Sequence, residues 1–282
     1  MTDASAGTPP SDLSTRFAAG IFMAAIACLA IWYGGWPFRA LGAAAAVVMM
    51  IEWCAMHKAP RLWAWVGGAL LLVLLLGAIE YYYPAVMPTL DPDTEIAIDL
   101  DDFDAVLWVW GGIAAVGVLL GLAARRAAIG WGFVYIAVPT FSLLVLSWAY
   151  SGLVFWVMGV TWATDIFAYF AGRAIGGPKL APRISPNKTW AGLVGGMIGA
   201  GLAGWGVSWL FNLGFPFLWI GAPMGAVAQA GDLYESWVKR RHGVKDSGTI
   251  LPGHGGVLDR LDGLLAVAVA TMILILMGLW TA

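Results

Sequence analysis

The chain has 282 residues, of which 61% are hydrophobic and only 11% charged, against about 25% charged in an ordinary soluble domain. Such a composition cannot be wrapped as one water-facing globule, which excludes a soluble enzyme or binding module and leaves a polytopic membrane protein. A formal net charge of −2 selects no partner, so the information lies in where the charges fall.

Residues 1–15 are polar, slightly acidic and rich in Pro, Ser and Thr, and lack the basic start and early apolar run of a cleaved signal. They read as a short disordered cytoplasmic tail. Nine stretches then approach the ~20 mostly apolar residues that a spanning helix needs to satisfy its own backbone in lipid. They are Phe17 to Tyr33, Ala40 to Met56, Leu62 to Tyr82, Ala105 to Ala124, Ile129 to Tyr150, Gly152 to Phe170, Trp190 to Phe211, Phe215 to Leu233 and Leu261 to Trp280. The first two are short enough to suit a tight re-entrant pair as well. The predicted fold is an all-α, polytopic membrane helix bundle of nine transmembrane helices. It divides into the tail, N-terminal transmembrane helices with an acidic outer loop over 16–126, and a C-terminal transmembrane region over 127–282 that carries the candidate catalytic loops. Cys28 and Cys54 fall inside apolar runs and read as small hydrophobes.

Lys and Arg bias in short loops sets the orientation. With the N-terminus in the cytoplasm, 14 of the 15 basic residues lie inside and only Arg39 lies outside. The sizeable outer loop, Pro84 to Asp104, carries Asp91, Asp93, Glu95, Asp99, Asp101, Asp102 and Asp104 and no basic residue. It lacks the Gly and the ligand spacing of a Ca²⁺ loop and reads as a solvated cap. Trp and Tyr at span ends, such as Trp32, Tyr33, Trp63 and Tyr150, anchor at headgroup level, and no nucleic-acid partner is expected. The seventh span carries small-residue stripes, Gly192, Gly196, Ala200, Gly204 and Gly195, Gly199, Ala203, which predict close helix packing within the subunit or across a homodimer.

Acids inside spans cost about 2.5–3.5 kcal/mol each, so Glu52, Asp165 and Asp232 need reasons. Glu52 has no motif around it, and structural pairing and support of a site both remain open. Asp165 shares a helix face with Tyr169 and Gly172, two turns from Arg173, as a structural ion partner or a site group. The following loop, GGPKLAPRISPNKTWAG, offers Lys179, Arg183, Ser185, Lys188 and Thr189 just before a helix N-terminus. Such a loop can hold phosphate oxygens or be an ordinary positive-inside loop. In the eighth span Asp232, Ser236 and Lys239 fall on one face. They lead into a glycine-rich stretch in which Asp259 and Asp262 open the last helix, where its dipole favours them. Carboxylates among cations at the inner surface suggest Mg²⁺ held between a few Asp oxygens and substrate phosphates. These features reach a polyphosphate and Mg²⁺ site and name no reaction.

Fourteen residues across 27 positions supply the reaction: Ser236, Lys239, Arg240, Lys245, Asp246, Gly248, Leu251, Pro252, His254, Gly255, Gly256, Asp259, Arg260 and Asp262. Their order and spacing, S-x-x-K-R-x4-K-D-x-G-x2-L-P-x-H-G-G-x2-D-R-x-D, resemble the motif of the phosphatidate cytidylyltransferase (CDP-diacylglycerol synthase) family. Upstream, Asp165, Ala168, Tyr169, Gly172, Arg173, Ser185, Pro186, Lys188, Thr189, Trp190 and Gly192 resemble the same family's second region. Asn187 and Ala191 depart from its frequent basic and Glu residues. The resemblance covers roughly 162–264, and the earlier spans match in hydropathy alone.

The resemblance implies transfer of CMP from CTP to phosphatidic acid, giving CDP-diacylglycerol and pyrophosphate for phospholipid biosynthesis. It implies Mg²⁺ on Asp232 and Asp259, with a second cation such as K⁺, and Asp246 and Asp165 as further metal ligands or orienters. Lys239, Arg240, Lys245 and Arg260 would neutralise the triphosphate. Ser185, Lys188 and Thr189, with Arg173 and Ser236, would hold substrate or leaving phosphate, and His254 would donate a proton or simply shape its turn. The expected setting is a bacterial inner membrane, with the site facing the cytoplasm and phosphatidate reaching it from the bilayer. Competing readings are a CTP-dependent enzyme for another lipid phosphate or an isoprenoid alcohol, and an ion-coupled transporter using Asp165, Asp232 and Glu52. The absence of an inverted repeat speaks against the transporter.

Overall fold

The structure, a computed structural model, describes residues 12–82, 104–250 and 255–278. Residues 1–11, the acidic stretch 84–103 and His254 lie outside the described residues, so the expectations placed on them are not addressed. The elements in chain order are α1 (Asp12–Tyr33), α2 (Gly35–Met56), α3 (Arg61–Tyr82), α4 (Asp104–Ala123), α5 (Ala127–Ala149), α6 (Ser151–Ile175), β1 (Lys179–Ala181), β2 (Ser185–Thr189), α7 (Trp190–Phe211), α8 (Phe215–Trp219), α9 (Gly221–Arg241) and α10 (Leu258–Leu276). Helix α1 begins at Asp12, within the stretch read as tail.

Each predicted span overlaps a helix. Among the described residues five helices, α2, α4, α5, α6 and α7, are long and apolar enough to cross a membrane. α2, at 22 residues, is long and apolar enough for a full span. The eighth stretch is not one helix: it breaks at Ile220 into α8 and α9. Pro223 explains the break, since it has no N–H to donate to Trp219 and its ring would crowd that carbonyl in a continuous helix. α9 therefore has a short apolar part and a long polar end that projects Glu235, Lys239 and Arg240.

The core sits around α5, which packs against α2, α3, α4, α6 and α10 and buries Phe133, Ile136 and Phe141 completely. Two of its hydroxyls are satisfied within the helix, Thr140 donating to the Ile136 carbonyl at 2.8 Å and Ser142 to that of Val138 at 2.7 Å. The stripes on α7 serve packing within the subunit. A methyl group on Gly196 would stand 3.0 Å from the Thr164 carbonyl of α6, and one on Gly199 would strike the Phe167 ring.

The α6–α7 connection was expected as loop and instead forms a two-stranded antiparallel ribbon that pairs Lys179 with Thr189 and Ala181 with Ser185. It is the one departure from an all-α fold among the described residues. The four loops expected on the inner face do share one face. Arg126 Nη1 donates to the Lys58 carbonyl at 3.0 Å, the His57 and His242 rings lie 4.1 Å apart, and Arg240 Nε donates to the Ile184 carbonyl at 3.3 Å. The α2–α3, α4–α5, α6–α7 and α9–α10 connections thereby meet at one end of the bundle.

Candidate active site

A cleft of about 520 Å³ opens between the polar end of α6, the β2–α7 junction and α9, lined by Asp165, Tyr169, Arg173, Lys188, Thr189, Gln229 and Asp232 among others. Lys188 lies at its centre. Its Nζ donates to Gln229 Oε1 at 2.6 Å and pairs with Asp232 Oδ2 at 2.6 Å. Asp232 Oδ1 in turn accepts from Ser236 Oγ at 3.2 Å, so two of the three residues predicted on one α9 face meet as expected. Asp165 lies within electrostatic reach of Asp232, Lys188 and Arg260. Arg173 is exposed and donates to the Tyr169 hydroxyl at 3.3 Å. Thr189 is buried and caps α7, its Oγ1 accepting from the Gly192 amide at 3.0 Å. Its hydroxyl oxygen is thus engaged in structure, and only the proton is left to offer a phosphate.

The third residue of the α9 face, Lys239, turns the other way. Its Nζ meets Asp259 Oδ1 at 2.6 Å and stands 3.4 Å from Glu235 Oε1. Asp259 Oδ2 accepts three further hydrogen bonds, from Ser247 N at 2.8 Å, Ser247 Oγ at 2.9 Å and Gly256 N at 2.8 Å. Burial alone would raise the Asp259 carboxyl, but the Lys239 hydrogen bond and the amides of Gly256 and Ser247 outweigh it and hold the group below its ordinary value. Burial likewise works to lower the Lys239 ammonium, and Glu235 and Asp259 more than offset it. Asp262, beside Glu235, accepts from the Gly263 amide at 2.6 Å.

Other predicted residues are placed differently. Arg240 is not directed at a free anion: besides the Ile184 carbonyl it donates from Nη1 to the Val244 carbonyl at 3.1 Å. Lys245 and Asp246 are exposed in the α9–α10 loop, Arg260 is exposed at the start of α10, and Ser185 is half-buried where β2 begins. Three residues join the site that sequence reasoning did not place there. Gln229 and Glu235 lie one turn to either side of Asp232, a spacing that was readable. Ser247 was visible only as part of a glycine-rich loop.

Among the described residues no three His, Cys, Asp or Glu side chains converge closely enough to form a ready metal cage. The donor chemistry nonetheless fits Mg²⁺, which takes hard oxygens and commonly binds through one or two carboxylates plus phosphates and waters. Glu235 is fully buried and its two oxygens accept no hydrogen bond of good geometry. Asp165, Asp232 and Asp262 lie within electrostatic reach of one another, and Asp262 of Glu235.

Comparison with known proteins follows the same line. The cytidylyltransferase family matches residues 14–277. A phosphatidate cytidylyltransferase of Brucella abortus biovar 1 (strain 9-941) is 37% identical over 284 aligned positions, covering 92% of this chain and 91% of that protein. One from Rickettsia bellii (strain RML369-C) is 38% identical over 148 positions, 49% of this chain and 64% of that protein. One from Rickettsia typhi (strain ATCC VR-144 / Wilmington) is 39% identical over a stretch covering 49% of this chain and 65% of its own length.

Proposed function

The chain belongs to the cytidylyltransferase family, and from that premise we propose that it transfers CMP from CTP to phosphatidic acid, releasing pyrophosphate, at the end of the bundle where the four loops meet. The observation that carries this reading is the pairing of Lys188 from one loop with Asp232 on α9, in a cleft lined by Asp165, Arg173 and Thr189. A second lysine, Lys239, stands on the same helix over Glu235 and Asp259.

In the reaction an oxygen of the phosphatidate phosphate forms a bond to the α-phosphorus of CTP, and the bond from that phosphorus to the β-phosphate oxygen breaks. The attacking oxygen is already ionised, so no general base is required. The barrier is charge repulsion and alignment, which cations and fixed donors reduce. Lys188 is held by Gln229 and Asp232 with its ammonium at the cleft, and exchanging one carboxylate contact for a phosphate oxygen keeps its charge matched. Arg173, which lines the cleft, and the exposed Lys245 and Arg260 would supply further positive charge for the triphosphate. Asp232 and Asp259, with Glu235 and Asp262 close by, would hold Mg²⁺, which supplies charge neutralisation on the phosphate oxygens; a second cation such as K⁺ would find the remaining carboxylates. Asp165 and Asp246 serve as orienters of the surrounding cations.

Nine spans, an N-terminus in the cytoplasm and a site on the cytoplasmic face of a bacterial inner membrane complete the proposal, since CTP is cytoplasmic and the basic loops lie at that end. The test is release of pyrophosphate from CTP by purified protein in detergent, with and without phosphatidate and Mg²⁺. Release that needs both is expected. Turnover with an isoprenoid alcohol in preference to phosphatidate would overturn the assigned acceptor.

A further inference from the structure

We propose that Glu52, on α2 and outside both site loops, is a positioning residue for the transfer: through Ser247 and the first turn of α10 it holds Asp259 in place. The proposal rests on the cytidylyltransferase reading, and its own basis is geometric. Glu52 is 2% exposed. Its Oε1 accepts from the Val257 amide at 2.9 Å, and its Oε2 accepts from the Leu258 amide at 2.9 Å and from Ser247 Oγ at 3.2 Å.

The first amides of a helix have no partner within it and carry the positive end of its dipole. The N-cap of α10, Val257, supplies no side-chain bond, so a carboxylate from a helix some 200 residues earlier in the chain does so. Asp259 takes the neighbouring amide, that of Gly256, together with the amide and hydroxyl of Ser247. Ser247 and residues 256–258 are therefore pinned between two carboxylates. Ser247 Oγ has one proton and lies within reach of both, 3.2 Å from Glu52 and 2.9 Å from Asp259, so the two acids act on a shared atom.

The loop is moulded to Glu52. A Cβ at Gly248 would stand 2.7 Å from Glu52 Oε1, and one at Gly256 would stand 2.6 Å from Glu52 Oε2. Side chains are missing at the two loop positions where the carboxylate approaches. Both Glu52 oxygens are occupied by Val257, Leu258 and Ser247, so it acts through Asp259 and not on substrate. An acid within an apolar helix is costly, and a local Ser or Asp at the N-cap would have capped α10 without that cost. What a local cap could not do is fix the whole loop to the N-terminal helices.

The test compares wild type with E52Q, E52D, S247A and the E52Q/S247A double variant, by steady-state kinetics, thermal unfolding in detergent and hydrogen exchange. Gln keeps one acceptor and turns its amide NH₂ toward a backbone donor. In E52Q, kcat should fall about 10- to 100-fold, the scale of a catalytic group displaced by about an ångström, with KM for phosphatidate near wild type. Exchange should rise within 247–258 and stay unchanged elsewhere. E52D should recover part of kcat, and the double variant should lose less than the product of the single losses. If E52Q does not fold, S247A carries the kinetic arm, because it leaves both amide bonds to Glu52 intact and removes only the shared atom. An E52Q protein with lowered thermal stability but wild-type kcat per folded molecule would overturn the proposal, as would unchanged exchange in 247–258 or wild-type kcat in S247A. If wild type itself showed no phosphatidate-dependent turnover, the functional reading would fall, and the exchange measurement would still decide whether Glu52 holds the loop.

Discussion

Lys188 has two short contacts, to Gln229 and Asp232, and no carbon side chain can replace them. In K188M the Asp232 carboxylate would lose its ion partner beside Asp165. Pyrophosphate release should fall about 10²- to 10³-fold, the cost of removing one preorganised charge-stabilising group. Asp259→Asn should leave a folded protein with little turnover, because the amide nitrogen would oppose the Lys239 ammonium or the Gly256 amide; a folded D259N with full activity would sink its assigned role. Asp259 also predicts a pH dependence. Its folded value lies below the ordinary 3.8, so the unfolded state binds the proton more readily. The stability it contributes is complete above the ordinary carboxylate range and is lost as pH falls through the lower folded value. Thermal midpoints in detergent should therefore drop below about pH 4 in wild type, and this share of the drop should be absent in D259N. Lys239 and Asp259 stood out as candidate site residues from motif spacing, and Asp232 as an acid inside a span. Their partners were not, since the approach of Lys239 to Asp259 depends on how α9 and α10 pack and not on any spacing along the chain.

Thr189 ends β2 and begins α7, and its hydroxyl closes the first turn. Thr189→Ala should cost about 1 kcal/mol of stability, read as a lower thermal midpoint, while Thr189→Ser should retain most of it. At the level of elements, helix positions were well marked by hydropathy, and Trp190 to Phe211 coincides with α7. Two features were hidden. The α8–α9 break interrupts no apolar run, and its one signal was Pro223. The β1–β2 ribbon was masked by Pro182 and Pro186, which read as loop residues although proline is tolerated on an unpaired strand edge. Arg240 illustrates the same difficulty. Its motif position suggested a triphosphate ligand, and only the folded ribbon presents the Ile184 carbonyl that engages it.

For the whole molecule, four loops at one end of the bundle predict a single accessibility pattern. Cysteines placed at exposed Arg125, Lys179 and Lys245, in a background without Cys28 and Cys54, should all react with an impermeant thiol reagent from the cytoplasmic side. Labelling from opposite sides would overturn the shared face. Because the described residues hold no ready metal cage, chelating Mg²⁺ should stop turnover while leaving the thermal midpoint nearly unchanged. The placement of Arg240 has a consequence for timing. One guanidinium bonds both the ribbon at Ile184 and the α9–α10 loop at Val244, and so couples the two walls of the mouth. The two walls are expected to move together, so that departure of pyrophosphate and of the lipid nucleotide would share one gate. A lysine at this position has no planar fork with which to grip both, and would let each wall keep its own clock.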